Sequence, residues 1–248
     1  MDSYQHNFSD SEESMFDESV RVQKANKTLA VLKDFLQDFH NLKLLDIGSS
    51  TGIMTNEYAK YFDEVIGIDL DAKAVEYADE NFKKENLKFI NSPIEEIDFN
   101  DSYFDIITCS HIYEHVPSDI ILMNKIFELL KPGGVCYFTA GNRFQIIEAH
   151  YKLPFLSYFP KKIANIYIQL FTNEKFYYEN LKSYYKLKKL VKSFEIYDYT
   201  LKVLKSPSYF FADDMIQENT VKYYLINFIA KIFYMIVPTY IWILKKPQ

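Results

Sequence analysis

Apolar residues in this chain cluster into short runs separated by polar turns, and the spacing changes from run to run. Residues 42–47, 64–69, 87–91, 104–109 and 134–140 carry dense apolar stretches of strand length. Between them, residues 53–60, 72–84 and 119–130 place apolar side chains at helical spacing. Asp71 stands where a helix carrying Ala74, Val75 and Ala78 needs an N-cap. Strands alternating with helices predict a parallel sheet covered on both faces. Upstream, Val20, Leu29, Leu32, Phe35, Leu36 and Phe39 set out an amphipathic helix within 15–39, behind a polar arm at 1–14. Residues 142–175 break the alternation with Tyr, Phe, Leu and two prolines, Pro154 and Pro160. An insertion there sits above the carboxyl ends of the strands as a lid. Beyond it, 179–193 reads as a helix, 194–203 as a strand, 213–236 as one or two amphipathic helices and 240–244 as the last strand.

The candidate chemistry starts at Leu44-Leu-Asp-Ile-Gly-Ser-Ser-Thr-Gly52. A buried strand runs into a glycine turn and then a helix, which exposes backbone N–H groups to a polar or anionic ligand group. Asp46 precedes the turn. A second strand, Glu64-Val-Ile-Gly-Ile-Asp69, ends in a carboxylate suited to the two hydroxyls of a ribose. Together they imply a nucleoside-bearing cofactor. The dinucleotide fingerprint fails on glycine spacing, with Met54 near the place of its third glycine, and no phosphate-cradling Gly-Lys-Ser/Thr is present.

Five motifs in order, Asp46-Ile-Gly-Ser-Ser-Thr-Gly52, Gly67-Ile-Asp69, Phe104–Ser110, Glu114-His115-Val116 and Leu130-Lys-Pro-Gly-Gly134, resemble those of the class I S-adenosylmethionine-dependent methyltransferases over residues 43–142. The resemblance implies an α/β, Rossmann-like, doubly wound seven-stranded sheet, mostly parallel with the last strand antiparallel, helices on both faces and an inserted lid. It divides the chain into an N-terminal arm and helix (1–41) and a methyltransferase domain (42–248) with the lid at about 142–175. It implies S-adenosyl-L-methionine as cofactor, held by Asp46, Gly48, Ser50, Gly52, Asp69, Leu70, Ile94 and Ser110. Two positions depart from the family pattern. Ser50 replaces a usual glycine. Pro93 occupies the place of an acid that binds the adenine amino group, which leaves that contact to the Ile94 backbone N–H or to Glu95. Packing on the sheet is the leading reading of the N-terminal helix; closure of Tyr4, Phe8 and Phe16 over the cofactor is the alternative.

Composition narrows the partners. A formal charge of −6 disfavours a nucleic-acid footprint. Cys109 and Cys136 lie in apolar runs and read as small core residues, as suits a reducing cytosol. No metal spacing links the histidines and cysteines, and the acidic Met1–Glu18 stretch does not read as a signal peptide. Residues 221–244 approach the apolar density of a membrane span, but Asn227, Lys231 and Pro238 interrupt it. Core packing is the first reading there, and peripheral membrane contact through Lys222, Lys231 and the aromatics is the second.

Methyl transfer to oxygen needs a base beside the reacting atoms. His111 and His115 follow the fourth strand and are the two catalytic candidates, with Glu114 between them. Asn142, Arg143 and His150 are candidate acceptor contacts at the start of the lid, with Glu148 beside them. The acceptor expected is a small molecule methylated on oxygen rather than nitrogen, in a glycan or lipid-linked setting. A short-chain oxidoreductase is disfavoured: Tyr158-Phe-Pro-Lys161 matches its Tyr-x-x-x-Lys by letters, but proline spoils the helix that motif needs. A catalytically silent module that binds a partner through its aromatic C-terminal half stays open as the other class.

Overall fold

The computed structural model describes residues 15–248. Tyr4 and Phe8 lie outside the described residues. Seven strands form one sheet: β1 (Lys43–Ile47), β2 (Glu64–Asp69), β3 (Leu87–Asn91), β4 (Phe104–Ser110), β5 (Leu130–Gly141), β6 (Glu195–Asp198) and β7 (Thr239–Lys245). Their order is β3-β2-β1-β4-β5-β7-β6. The first five pair in parallel, and β7 runs antiparallel between β5 and β6.

Alternation along the strands builds two cores. Leu45, Ile47, Ile66, Ile68 and Ile107 face one side; Leu44, Val65, Ile106, Val135 and Ile243 face the other. The first side is covered by α4 (Asp119–Leu129) through Leu122, Met123 and Ile126. The second is covered by α1 (Glu18–Leu36) through Ala25, Leu29 and Leu32. Asp17 caps α1 by accepting from Val20 N at 3.1 Å. The predicted cap of α3 (Ala72–Asn81) is present, with Asp71 Oδ1 accepting from Ala74 N at 3.2 Å. Cys109 and Cys136 are fully buried free thiols, and burial raises the pKa of both. No helix among the described residues is long and apolar enough to cross a membrane.

The C-terminal third departs from the sequence reading. The expected strand 194–203 stops at Asp198, whose Oδ1 accepts from Thr200 N at 2.9 Å and turns the chain into a short helix, α7 (Thr200–Lys205). The helix expected from 179 begins only at Tyr184 (α6, Tyr184–Leu190). Before it, Asn180 N donates to Glu114 O and Lys182 bridges Asn142, so this stretch is extended. The region 213–236 is helical only over α8 (Val221–Ile232), capped by Thr220, and in a following turn at Tyr234–Ile236. The lid holds a turn at Leu156–Tyr158 and one amphipathic helix, α5 (Lys161–Phe171).

Candidate active site

A cavity of about 520 Å³ opens at the carboxyl ends of the strands, where the order reverses between β1 and β4. The glycine turn after β1 forms its floor and leads into α2 (Ile53–Tyr58). Asp46, Gly48, Ser50, Asp69, Leu70, Ile94, Ser110, His111, His115 and His150 all line it, as does Pro93.

Two carboxylates organise the floor, Asp46 buried and Asp69 half-buried. Asp46 Oδ1 accepts from Thr108 Oγ1 at 2.5 Å and Oδ2 from Thr55 Oγ1 at 2.6 Å, which pins it between β4 and α2. Burial raises its pKa against the pull of those hydroxyls and of Arg21. Asp69 Oδ2 accepts from Ser50 N at 2.7 Å, and Oδ1 from Asp71 N at 2.9 Å. Burial raises this carboxyl too, against the backbone N–H groups of Asp71 and Ser50. Ser50 sits at φ 48°, in the left-handed region that the family's usual glycine enters freely. Its N–H bond to Asp69 ties the turn to the end of β2.

Arg21 is the site residue that motif reading missed. It lines the cavity from α1, is 8% exposed, and has the pull of Asp46, Tyr58 and Asp69 opposing the burial that lowers its pKa. Its Nε has no partner among the described residues, and neither does Thr139 Oγ1 across the cavity. A buried guanidinium with an unused donor beside a glycine turn fits a ligand carboxylate. The signal was present: Arg21, Ala25, Leu29 and Leu32 share the sheet-facing stripe of the helix, and Arg21 is one of two arginines in the chain. Met15 and Met215 also line the cavity, and Thr51 Oγ1 donates to Met15 O at 2.7 Å. Phe16 packs instead on Tyr77 of α3, edge to face at 5.3 Å.

The histidines stand on the loop after β4. His111 has φ 57°, an uncommon conformation for a non-glycine residue, and its side chain is 47% exposed. Its Nδ1 lies 3.1 Å from Glu114 Oε1. Glu114 is fully buried. Burial alone would raise its carboxyl, but the His111 hydrogen bond and the attraction of His111 and His115 hold it below the ordinary range. Burial drops His115 to about 4, with His150 and His111 pushing the same way and Glu114 opposing. His115 packs edge to face on His150 at 5.0 Å, so the lid reaches the loop after β4.

Three expected site residues lie elsewhere. Gly52, at φ 75°, starts α2 away from the cavity, and a Cβ there would fall 2.6 Å from Ala78 Cβ and 2.7 Å from the Phe89 ring. Asn142 is buried, and its amide is spent on Met235 O, Val237 O and Tyr240 Oη. Arg143 donates to Ser157 O and Tyr158 O, lining a separate lid pocket. The sequence places both just past β5, but the bridge from Asn142 to Lys182 turns them into the base of the lid. Glu148 is also structural, accepting from His150 N and Tyr151 N. No metal-binding cluster occurs among the described residues.

Residues 45–138 match the family model described as "Methyltransferase domain". Among curated proteins, the ubiquinone biosynthesis O-methyltransferase of Psychrobacter cryohalolentis is 32% identical over 125 residues, covering 46% of this chain and 49% of that protein. The protein of the same name from Acinetobacter baylyi is 32% identical over 124 residues, 46% and 52% of the two chains. The chain thus spans about half the length of the curated relatives it matches. Among solved structures, a putative S-adenosylmethionine-dependent methyltransferase from Listeria monocytogenes aligns with TM-score 0.58 at 16% identity, over 91% of this chain and 99% of that one. Phosphoethanolamine N-methyltransferase 2 of Haemonchus contortus, solved with S-adenosyl-L-methionine, aligns with TM-score 0.56 at 20% identity, over 90% and 53%. The sheet order and the matched segment agree: residues 45–138 carry a methyltransferase domain, set on the Rossmann-like sheet that these neighbours share.

Proposed function

We propose that this chain methylates an oxygen of a small molecule, with His111 receiving the hydroxyl proton and Glu114 as its partner. The 3.1 Å contact between His111 Nδ1 and the buried Glu114 carboxylate, on the wall of the cofactor cavity, carries the proposal. A carboxylate on one ring nitrogen favours the proton there, leaves Nε2 as the acceptor, and stabilises the imidazolium that forms. S-adenosylmethionine, when bound, supplies a methyl group already activated on a sulfonium. The chain's own task is then positioning and proton removal. Arg21 and Thr139 take the polar end of the methionine moiety, Asp69 takes the ribose hydroxyls, and Leu70, Pro93 and Ile94 flank the adenine.

His115 serves the loop. Burial keeps it neutral, and its ring supports His150, the lid residue that contacts the acceptor. Ile112, Val116, Leu122, Tyr137 and Ile241 give the wall an apolar and aromatic part, which suits an acceptor with a ring or chain beside its hydroxyl. The name of the curated relatives favours oxygen as the atom methylated.

The test is transfer of labelled methyl from S-adenosylmethionine to a panel of phenols, catechols and amines by the parent and a His111→Gln variant. The expected result is a fall in kcat on the order of 10²–10⁴-fold with cofactor affinity unchanged. Equal turnover by the two proteins would remove His111 from the chemistry. Turnover of amines alone would reassign the atom.

A further inference from the structure

Helix α8 shows its apolar side to solvent. Val221, Tyr224, Leu225, Phe228, Ile229 and Ile232 recur at helical spacing on one face, and each is at least 44% exposed. The opposite face is the packed one, with Ala230 buried and Asn227 donating to Leu204 O of α7. Lys222 and Lys231 lie one on each side of the apolar stripe, a quarter turn or so from its centre. The lid helix α5 repeats the design: Ala164 and Ile168 face inward, while Ile163, Ile166 and Leu170 are at least 51% exposed.

Two observations choose between occupants for these faces. The first is charge. The chain is acidic, yet residues 221–248 hold four lysines and no carboxylate side chain, and residues 149–173 hold three lysines and none. The second is placement. Asn142 binds the backbone of Met235 and Val237 just past α8, and Arg143 binds Ser157 and Tyr158 just before α5. Both apolar elements are therefore rooted on one dipeptide at the end of β5. A second copy docked face to face would set the same lysine-rimmed stripe against this one, with no carboxylate on either α8 to pair those lysines. An apolar stripe rimmed by lysines, whose alkyl stems lie along it while the ammonium groups reach outward, matches an anionic lipid surface.

We propose that α8 and α5 dock the protein on anionic phospholipid bilayers, with the apolar stripes at the acyl boundary and Lys222 and Lys231 among the headgroups. Vesicle binding requires neither cofactor nor acceptor, so the proposal stands apart from the methyl-transfer reading.

Flotation of the purified full chain with phosphatidylcholine vesicles, and with vesicles containing phosphatidylglycerol, tests it. Expected are association with the anionic vesicles, weaker association with the neutral ones, and loss of binding on raising the salt. Lys222→Gln and Lys231→Gln should each weaken partitioning roughly fivefold. A Leu225→Gln, Phe228→Gln double variant should weaken it by at least roughly tenfold. These side chains are exposed, so the variants fold; circular dichroism and S-adenosylhomocysteine binding equal to the parent's verify it. No association with either vesicle type would overturn the proposal. So would a dimer in sedimentation velocity that the double variant converts to monomer, since the stripe would then cover a second copy.

Discussion

At the scale of single residues, Arg21 and Asp69 bring opposite charges to the lining of one cavity. Arg21→Gln keeps a polar, though shorter, side chain and removes the charge. It should weaken S-adenosylhomocysteine binding by roughly tenfold or more, the loss of one charge-assisted contact. Calorimetric titration checks this, and an unchanged affinity would remove Arg21 from the site. Ser50 tests the departure from the family pattern. Its φ of 48° costs a serine about 1 kcal/mol that a glycine does not incur, while glycine loosens the unfolded chain by a similar amount. Ser50→Gly should therefore leave stability within about 1 kcal/mol and keep cofactor binding, because the backbone N–H to Asp69 is retained. Local spacing was enough to bring residues on consecutive strand ends, from Asp46 to His115, to the lining of one cavity. It did not find Arg21, which reaches the cavity from a helix that precedes β1, because the packing of α1 on the sheet sets that contact and no motif records it.

At the scale of elements, the turn between β1 and α2 holds the site in place. Gly52 belongs to this scaffold and not to the cavity wall. Gly52→Ala should cost about 2–4 kcal/mol, from the left-handed φ of 75° together with the close contacts to Ala78 and Phe89. Urea unfolding measures it, and a change under about 0.5 kcal/mol would show that α3 and β3 yield to the new methyl group. The strands β1 to β5 were legible because their apolar runs are continuous and end in turns. The stretch after Asp198 was not, because an aspartate side chain capping the next residues ends β6 early within a run whose side chains favour a strand. Asn142 and Arg143 misled for a related reason. Their place at the end of β5 is a site position in a sheet of this kind, but here the lid folds back over them and takes up their donors.

At the scale of the whole molecule, the stretch that follows the lid and packs on it carries a pH signature. Burial lifts Glu179 to about 7, with repulsion from Glu148 adding to it and Lys161 opposing. The folded value lies above the ordinary 4.5, so folding favours the protonated form. That contribution is complete below about pH 4.5 and is lost as pH rises through about 7. Glu179→Gln should accordingly be more stable than the parent near pH 8, by up to about 3 kcal/mol, and equal to it near pH 4. Unfolding midpoints at the two pH values decide it. His115 has the opposite sign: its folded value of about 4 gives stability above about 6.5 that fades as pH falls. The central claim is that one cavity, closed by α1 and the lid, holds S-adenosylmethionine between Arg21 and Asp69. Calorimetric titration of the purified chain with S-adenosylhomocysteine, beside an Asp69→Ala variant and an NAD control, tests it most directly. Micromolar binding by the parent, its loss in the variant and no heat from NAD are the predicted results; equal binding by parent and variant, or none by either, would contradict the claim.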